Sequence, residues 1–250
     1  MKKKATLLDT LIGIVMFFCL WQLAALLVNR PILPSPVVVV PLFFAHITGD
    51  LGLHFLASAG RVLAAVCLAT LFAAPLGLAL GQMPQLDRIL SPLIAIIYPI
   101  PKIIFLPVIY VLMGISDFSK ITLIAIIIFF QILVVVRDEA SGLKKELLLS
   151  VKSLGAGRRA LFRYVYLPAS LPAVLTALRI SVGTAVAVLF IAEQSLTSYG
   201  LGYYIVIETY QVLLYPEMYT GIMGMGLLGV LLYFAIYAIE LKVSRHRFVE

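Results

Sequence analysis

The chain has 250 residues, of which 62% are hydrophobic and 12% charged. A water-soluble domain carries about 25% charged residues, so that class is excluded. The net charge of +7 fits basic loops beside membrane spans rather than a nucleic-acid surface, and no alternating ten-residue pattern supports a membrane barrel.

A helix needs about 20 apolar residues to cross a bilayer. Six spans are predicted, at about 11–28, 58–81, 92–115, 119–136, 172–192 and 219–240. The expected fold class is an all-α membrane protein with six transmembrane helices. Residues 1–57 form an N-terminal helix with a segment on the outer surface, and 58–250 form the core. The start, MKKK before an apolar run, imitates a secretory signal, but the run 11–28 is long for a signal core and reads as an uncleaved span. Cys19 and Cys67 sit inside apolar runs and read as buried small apolar residues, not as a disulfide or metal pair.

Lys and Arg concentrate in cytoplasmic segments of membrane proteins. With the N-terminus inside, that face holds Lys2, Lys3, Lys4, Arg88, Arg137, Lys144, Lys145, Lys152, Arg158, Arg159, Arg163, Lys242, Arg245 and Arg247. The opposite face holds Arg30 and Lys120. Both termini are therefore expected in the cytoplasm. Outside, NRPILPSP forbids a regular helix by its proline spacing. Arg61 is expected to cap the outer end of the second span.

The third span carries Pro92, Pro99, Pro101 and Pro107. Interior prolines remove donors and clash with the preceding turn, and broken backbone is tolerated where protein or a water-filled cavity surrounds it. Pro99, Pro101 and Lys102 are thus candidates to line a solute pathway. Lys102 either attracts an anionic solute or snorkels to a polar interface. Glu193 and Gln194, at the end of the fifth span, either border that pathway or mark the membrane surface. Arg179 reads as a structural charge in the fifth span.

The longest cytoplasmic loop, about 137–171, contains KKELLLSVKSLGAGRRALFRYVYLP. Leu147, Val151 and Leu154 have helical spacing. Gly155 and Gly157 interrupt them, and a second short helix runs to Pro168, which is expected to stop it. Two short helices at an angle would expose Leu161 and Phe162 beside Arg158, Arg159 and Arg163, a composition suited to a protein groove.

The spacing Gly155, nine residues, Val165-Tyr166-Leu167-Pro168 resembles the cytoplasmic signature loop of ABC importer permeases. That signature is Glu-Ala-Ala, three residues, Gly, nine residues, Ile-x-Leu-Pro. LPSP at 33–36, PIPKIIFLPVIYVLMGISDFSKI at 99–121 and AEQSLTSYGLG at 192–202 resemble the sulfonate/taurine/nitrate-type branch. The Glu-Ala-Ala positions fall on Leu149, Ser150 and Val151, so the acidic residue is missing here.

The resemblance implies a type I ABC importer permease subunit of the inner membrane, present in two copies. Two cytoplasmic ATP-hydrolysing subunits and an external solute-binding protein would complete the transporter. The loop residues Gly155, Ala156, Arg158, Arg159, Leu161, Phe162, Leu167 and Pro168 would couple ATPase motion to the spans. No G-x-x-x-x-G-K-[ST] loop occurs in the chain. ATP and Mg are therefore expected on the partner, with no cofactor and no enzyme activity in this chain. The solute would be a small, sulfonate-like anion. His46, His54 and His246 show no metal-ligand spacing. The rival class is a secondary transporter or channel without an ATPase. It would carry paired intramembrane carboxylates or inverted repeats, and neither is read in the sequence.

Overall fold

A backbone crossing lipid must satisfy its own hydrogen bonds, and a helix does so within one segment. The computed structural model describes residues 7–143, 151, 153, 155, 157–194 and 196–243, with the backbone alone at 7, 10 and 158. Lys2, Lys3, Lys4, Lys144, Lys145, Leu147, Leu149, Ser150, Lys152, Leu154, Ala156, Arg245, His246 and Arg247 lie outside the described residues. Among those described, every regular element is helical. In order these are α1 (Leu7–Val28), α2 (Pro36–His46), α3 (Asp50–Gln82), α4 (Pro84–Ile97), a 3-10 turn (Lys102–Phe105), α5 (Leu106–Met113) and α6 (Asp117–Ser141). A helical turn at Arg158–Leu161 and a π-helical turn at Phe162–Tyr166 lead into α7 (Leu167–Glu193). Then come a short turn at Leu201–Tyr203, a π-helical segment at Tyr204–Tyr210 and α8 (Tyr215–Val243).

Five helices are long and apolar enough to cross a membrane, or six if the bent pair Pro84–Ile97 and Lys102–Met113 is one span. That pair bends by 80°. Prolines shape the break. Pro84 opens α4, Pro99 and Pro101 follow its end, and Pro107 sits in the first turn of α5, where a missing N–H costs nothing.

Contacts divide the chain into two units. Residues 1–57 group with 193–226, and residues 58–192 group with 227–250. In the first unit α1 packs on α2. The Trp21 indole N–H donates to the Pro34 carbonyl at 3.1 Å, and its ring stacks on Tyr219 at 5.7 Å. In the second unit α3 meets α6 through small residues at every fourth position. Ala65, Ala69, Ala73 and Gly77 are buried, and Gly81 continues the row. A Cβ at Gly77 would stand 2.9 Å from the Leu133 carbonyl oxygen, and one at Gly81 would stand 2.6 Å from that of Arg137. Such small-residue stripes let membrane helices approach closely, where dispersion rather than water exclusion holds them.

Several expectations change. Helix α3 begins at Asp50, before the predicted span, so Arg61 lies inside it rather than at its end. Arg61 is 5% exposed and pairs with Asp117 at 2.7 Å; an acidic partner at the start of α6 is what allows the charge to be buried. Lys120, expected on an outer face, is 2% exposed and donates to the Ser116 carbonyl. Cys19 and Cys67 are exposed on the chain surface rather than buried. The membrane explains this reversal: its lipid-facing exterior is as apolar as the core, so an apolar run does not tell inside from outside. Helix α6 runs on to Ser141, past the predicted end of the fourth span.

Candidate functional site

The break between α4 and α5 is held by Lys102. Its ammonium donates to the carbonyls of Ile97 at 3.1 Å, Tyr98 at 2.9 Å and Ile100 at 3.2 Å. An ammonium has three N–H donors, so all three are engaged. The acceptors at the end of α4 lost their helical partners when the prolines ended the helix, and a cation there also meets the negative end of the helix dipole. The same ammonium lies 4.6 Å from the centre of the Phe130 ring of α6. Pro99 and Pro101 are exposed beside it. Lys102 thus pins the broken backbone to a neighbouring helix, and a passing anion would meet its field rather than a free N–H.

Among the described residues, Val151 and Ser153 are helical, Gly155 is a turn and helix runs again from Arg158, in keeping with two helical pieces around Gly155. Gly155 has φ +80°, and a Cβ there would meet nothing within 4 Å. The turn therefore requires glycine by conformation, not by space. From Arg158 the backbone is helical without interruption. Pro168 does not stop it, because the preceding turn is π-helical, with the Leu167 N–H donating to the Phe162 carbonyl. This wider turn accommodates the donor that Pro168 lacks. The sequence places Leu161 on an exposed surface, whereas it is 5% exposed in the structure. Val165 is buried with it, while Phe162 is 43% and Tyr164 70% exposed. Arg159 and Arg163 are exposed, as are Leu167 and Pro168. The turn thus shows an aromatic and basic face outward and holds its aliphatic face in. Ala156 and the side chain of Arg158 lie outside the described residues.

At the far end of α7, Glu193 is fully buried, and the Gly202 N–H donates to its carboxylate at 3.0 Å. Burial removes the surface-marker alternative for Glu193; Gln194 is half-buried. In the same unit lies a constellation that the sequence reading missed. His54 is 3% exposed. The Gly200 N–H donates to its Nδ1 at 3.0 Å, and Nε2 lies 3.2 Å from a carboxylate oxygen of Glu208. Nδ1 also lies 3.1 Å from the Gly200 carbonyl oxygen, so the ring is held against the Gly200 backbone on one side and Glu208 on the other. The sequence offered only a lone His in an apolar run. Nearby, a cavity of about 350 Å³ is lined by His46, Asp50, Tyr204, Glu208, Thr209 and Glu217 among others. Burial pushes the Tyr204 phenol above its ordinary range. Three carboxylates make this cavity unfit for an anion.

Among the described residues, no group of three or more His, Cys, Asp or Glu side chains converges as metal ligands would. Arg179 of α7 lies 3.2 Å from a Glu240 oxygen of α8 and packs over the Tyr233 and Tyr237 rings at 5.6 and 5.4 Å. It is a structural cation, as the sequence suggests.

Comparison with known proteins agrees with this architecture. One chain of the MetNI methionine ABC transporter, in an inward-facing conformation, superposes with TM-score 0.62 at 18% identity, covering 78% of this chain and 96% of that one. That similarity concerns the fold alone, a type I ABC importer permease. The taurine transport system permease protein TauC of Escherichia coli (strain K12) is 30% identical over 232 residues, 90% of this chain and 84% of TauC. The formylaminopyrimidine transport permease protein ThiX of Halalkalibacterium halodurans is 27% identical, covering 96% of each chain. Residues 73–245 match the family described as binding-protein-dependent transport system inner membrane component. The helices, the broken span and the signature-loop spacing therefore converge with these similarities, and the chain belongs to that family as a multi-pass permease subunit of an ABC importer in the inner membrane.

Proposed function

We propose that two copies of this chain form the membrane pathway of an ATP-driven importer for a small organic anion of sulfonate type. An external binding protein delivers the solute, and cytoplasmic ATP-hydrolysing subunits, carrying ATP and Mg, drive the cycle. Both termini and the loop at about 137–171 face those subunits. The observation that carries the reading is the continuous helix Arg159–Glu193. A push on the exposed Phe162 face is passed along one continuous helix into the membrane, with no break in the backbone at Pro168. Pro99, Pro101 and Lys102 shape the pathway at the broken span, and Glu193 and Gln194 stand at that helix's other end. The sulfonate assignment rests on the likeness to TauC, whose name specifies taurine.

The test is uptake by membrane vesicles containing the chain and the proteins that co-purify with it. The expected result is ATP-dependent uptake of labelled taurine or another sulfonate, with an ATPase in the purified complex and two permease chains by mass. Uptake that persists without ATP and without an ATPase subunit would make the chain a secondary transporter. Uptake of a formylaminopyrimidine but no sulfonate would leave the importer standing and overturn the solute.

A further inference from the structure

The elbow between α1 and α2 forms an open groove of about 510 Å³, lined by Gln22, Ala25, Asn29, Arg30, Leu33 and Ser35 among others. Its lining carries one cation and no carboxylate. Arg30 is exposed and has no charged or hydrogen-bonding partner among the described residues. The Ser35 hydroxyl makes no capping bond to α2, although it stands at that helix's N-cap. Arg30 and Ser35 thus bring unused hydrogen-bonding capacity to this site, while Ala25 and Leu33 supply an apolar wall.

Depth identifies the occupant. The apolar window of α1 ends at Val28, two residues before Arg30, and only 6% of that window is buried by protein. A cation at that level, beside an apolar wall open to lipid, meets one abundant anion, the phosphodiester of a phospholipid. We propose that the α1–α2 elbow is a phospholipid site. Arg30 binds the phosphate in its planar fork, Asn29 and Ser35 bond the headgroup or glycerol oxygens, and an acyl chain runs down the apolar wall. Phosphatidylglycerol, an anionic phospholipid, is the probe.

The experiment uses the full chain, stripped of lipid in detergent and titrated with phosphatidylglycerol while native mass spectrometry counts bound lipid. The chain is expected to retain one phosphatidylglycerol. Arg30→Ala should weaken retention at least about tenfold, the scale of one charge-assisted contact, and Arg30→Lys should keep most of it. Arg30→Glu serves as a second variant, since the exposed side chain makes no contact that folding needs, and should abolish retention. A large molar excess of inorganic phosphate should not displace the lipid. Equal retention by the wild type, Arg30→Ala and Arg30→Glu would overturn the proposal. Displacement by phosphate would also overturn it, assigning the elbow to free anions instead.

Discussion

The Arg179 guanidinium and the Glu240 carboxylate lie 3.2 Å apart, joining α7 to α8 at sites only 24% and 13% exposed. Thr176 donates to the other Glu240 oxygen at 2.7 Å, and Arg179 donates to the Tyr233 hydroxyl at 3.3 Å. The Arg179 Nε–H is not aligned with the carboxylate, so charge and ring stacking hold the pair more than a directed bond does.

Removing one partner leaves the other charge in a poorly solvated place, whereas removing both does not. Glu240→Leu and Arg179→Leu are each expected to destabilise the chain by about 1–3 kcal/mol, below the fully buried range because both sites are partly exposed. The double variant should lose less than the sum of the two. Thermal unfolding in detergent, run as a double-mutant cycle, checks this; additive losses would mean the pair is not coupled.

The close crossing of α3 and α6 predicts sharp sensitivity at Gly77 and Gly81. A Cβ at either already falls within 3 Å of α6 backbone. Gly77→Leu should cost about 1–3 kcal/mol by overpacking, and Gly226→Ala, with nothing near its Cβ, should cost nothing and gain up to about 1 kcal/mol of helix propensity. Monodispersity and melting temperature distinguish the two; equal behaviour would mean that α3 and α6 do not touch there.

For Lys102, positioning and solute contact predict different kinetics. If the ammonium holds the break, Lys102→Met lowers the maximal uptake rate and leaves the half-saturating solute concentration nearly unchanged. If it bonds the solute, that concentration rises instead. Uptake measured across a range of solute concentrations decides between them, and the saturated ammonium favours the first outcome.

In the coupling turn, Phe162→Ala is expected to weaken association with the ATP-hydrolysing subunit by more than Arg159→Ala, because exposed aromatic anchors carry more binding energy than rim charges. Leu161→Ala should lower stability before it affects association, since Leu161 packs inward. Gly155→Val forces a β-branched residue to φ +80°, and the assembled complex should hydrolyse ATP without driving uptake. Co-purification, hydrolysis and uptake on the same variants test all three statements. Normal transport by both Phe162→Ala and Gly155→Val would remove the coupling role.

At His54, Asn places an acceptor near the position of Nδ1. His54→Asn should therefore retain the Gly200 N–H bond, and His54→Ala should lose about 1–3 kcal/mol by leaving a buried donor without a partner. Identical melting temperatures for the two would mean that the bond does not form.

The sequence by itself determined the membrane class, the number of apolar segments and the broken third span, because these depend on composition and on proline, which act locally. It also carried the family through the spacing of Gly155 and Leu167-Pro168. Burial was decided only by the tertiary structure. Cys19 turned outward, Leu161 inward, and Arg61, Lys120 and Glu193 were buried. In lipid both faces of a helix are apolar, so hydropathy does not report which face meets protein. The partners of buried charges are equally invisible along the chain: Arg61 finds Asp117, Arg179 finds Glu240, and His54 finds Gly200 and Glu208 only after helices distant in sequence pack together. The small residues repeating every fourth position from Ala65 to Gly81 were a legible cue to one such packing, for they mark where two backbones can approach. The role of Lys102 was not legible, because the carbonyls it binds become acceptors only once the prolines have ended the helix.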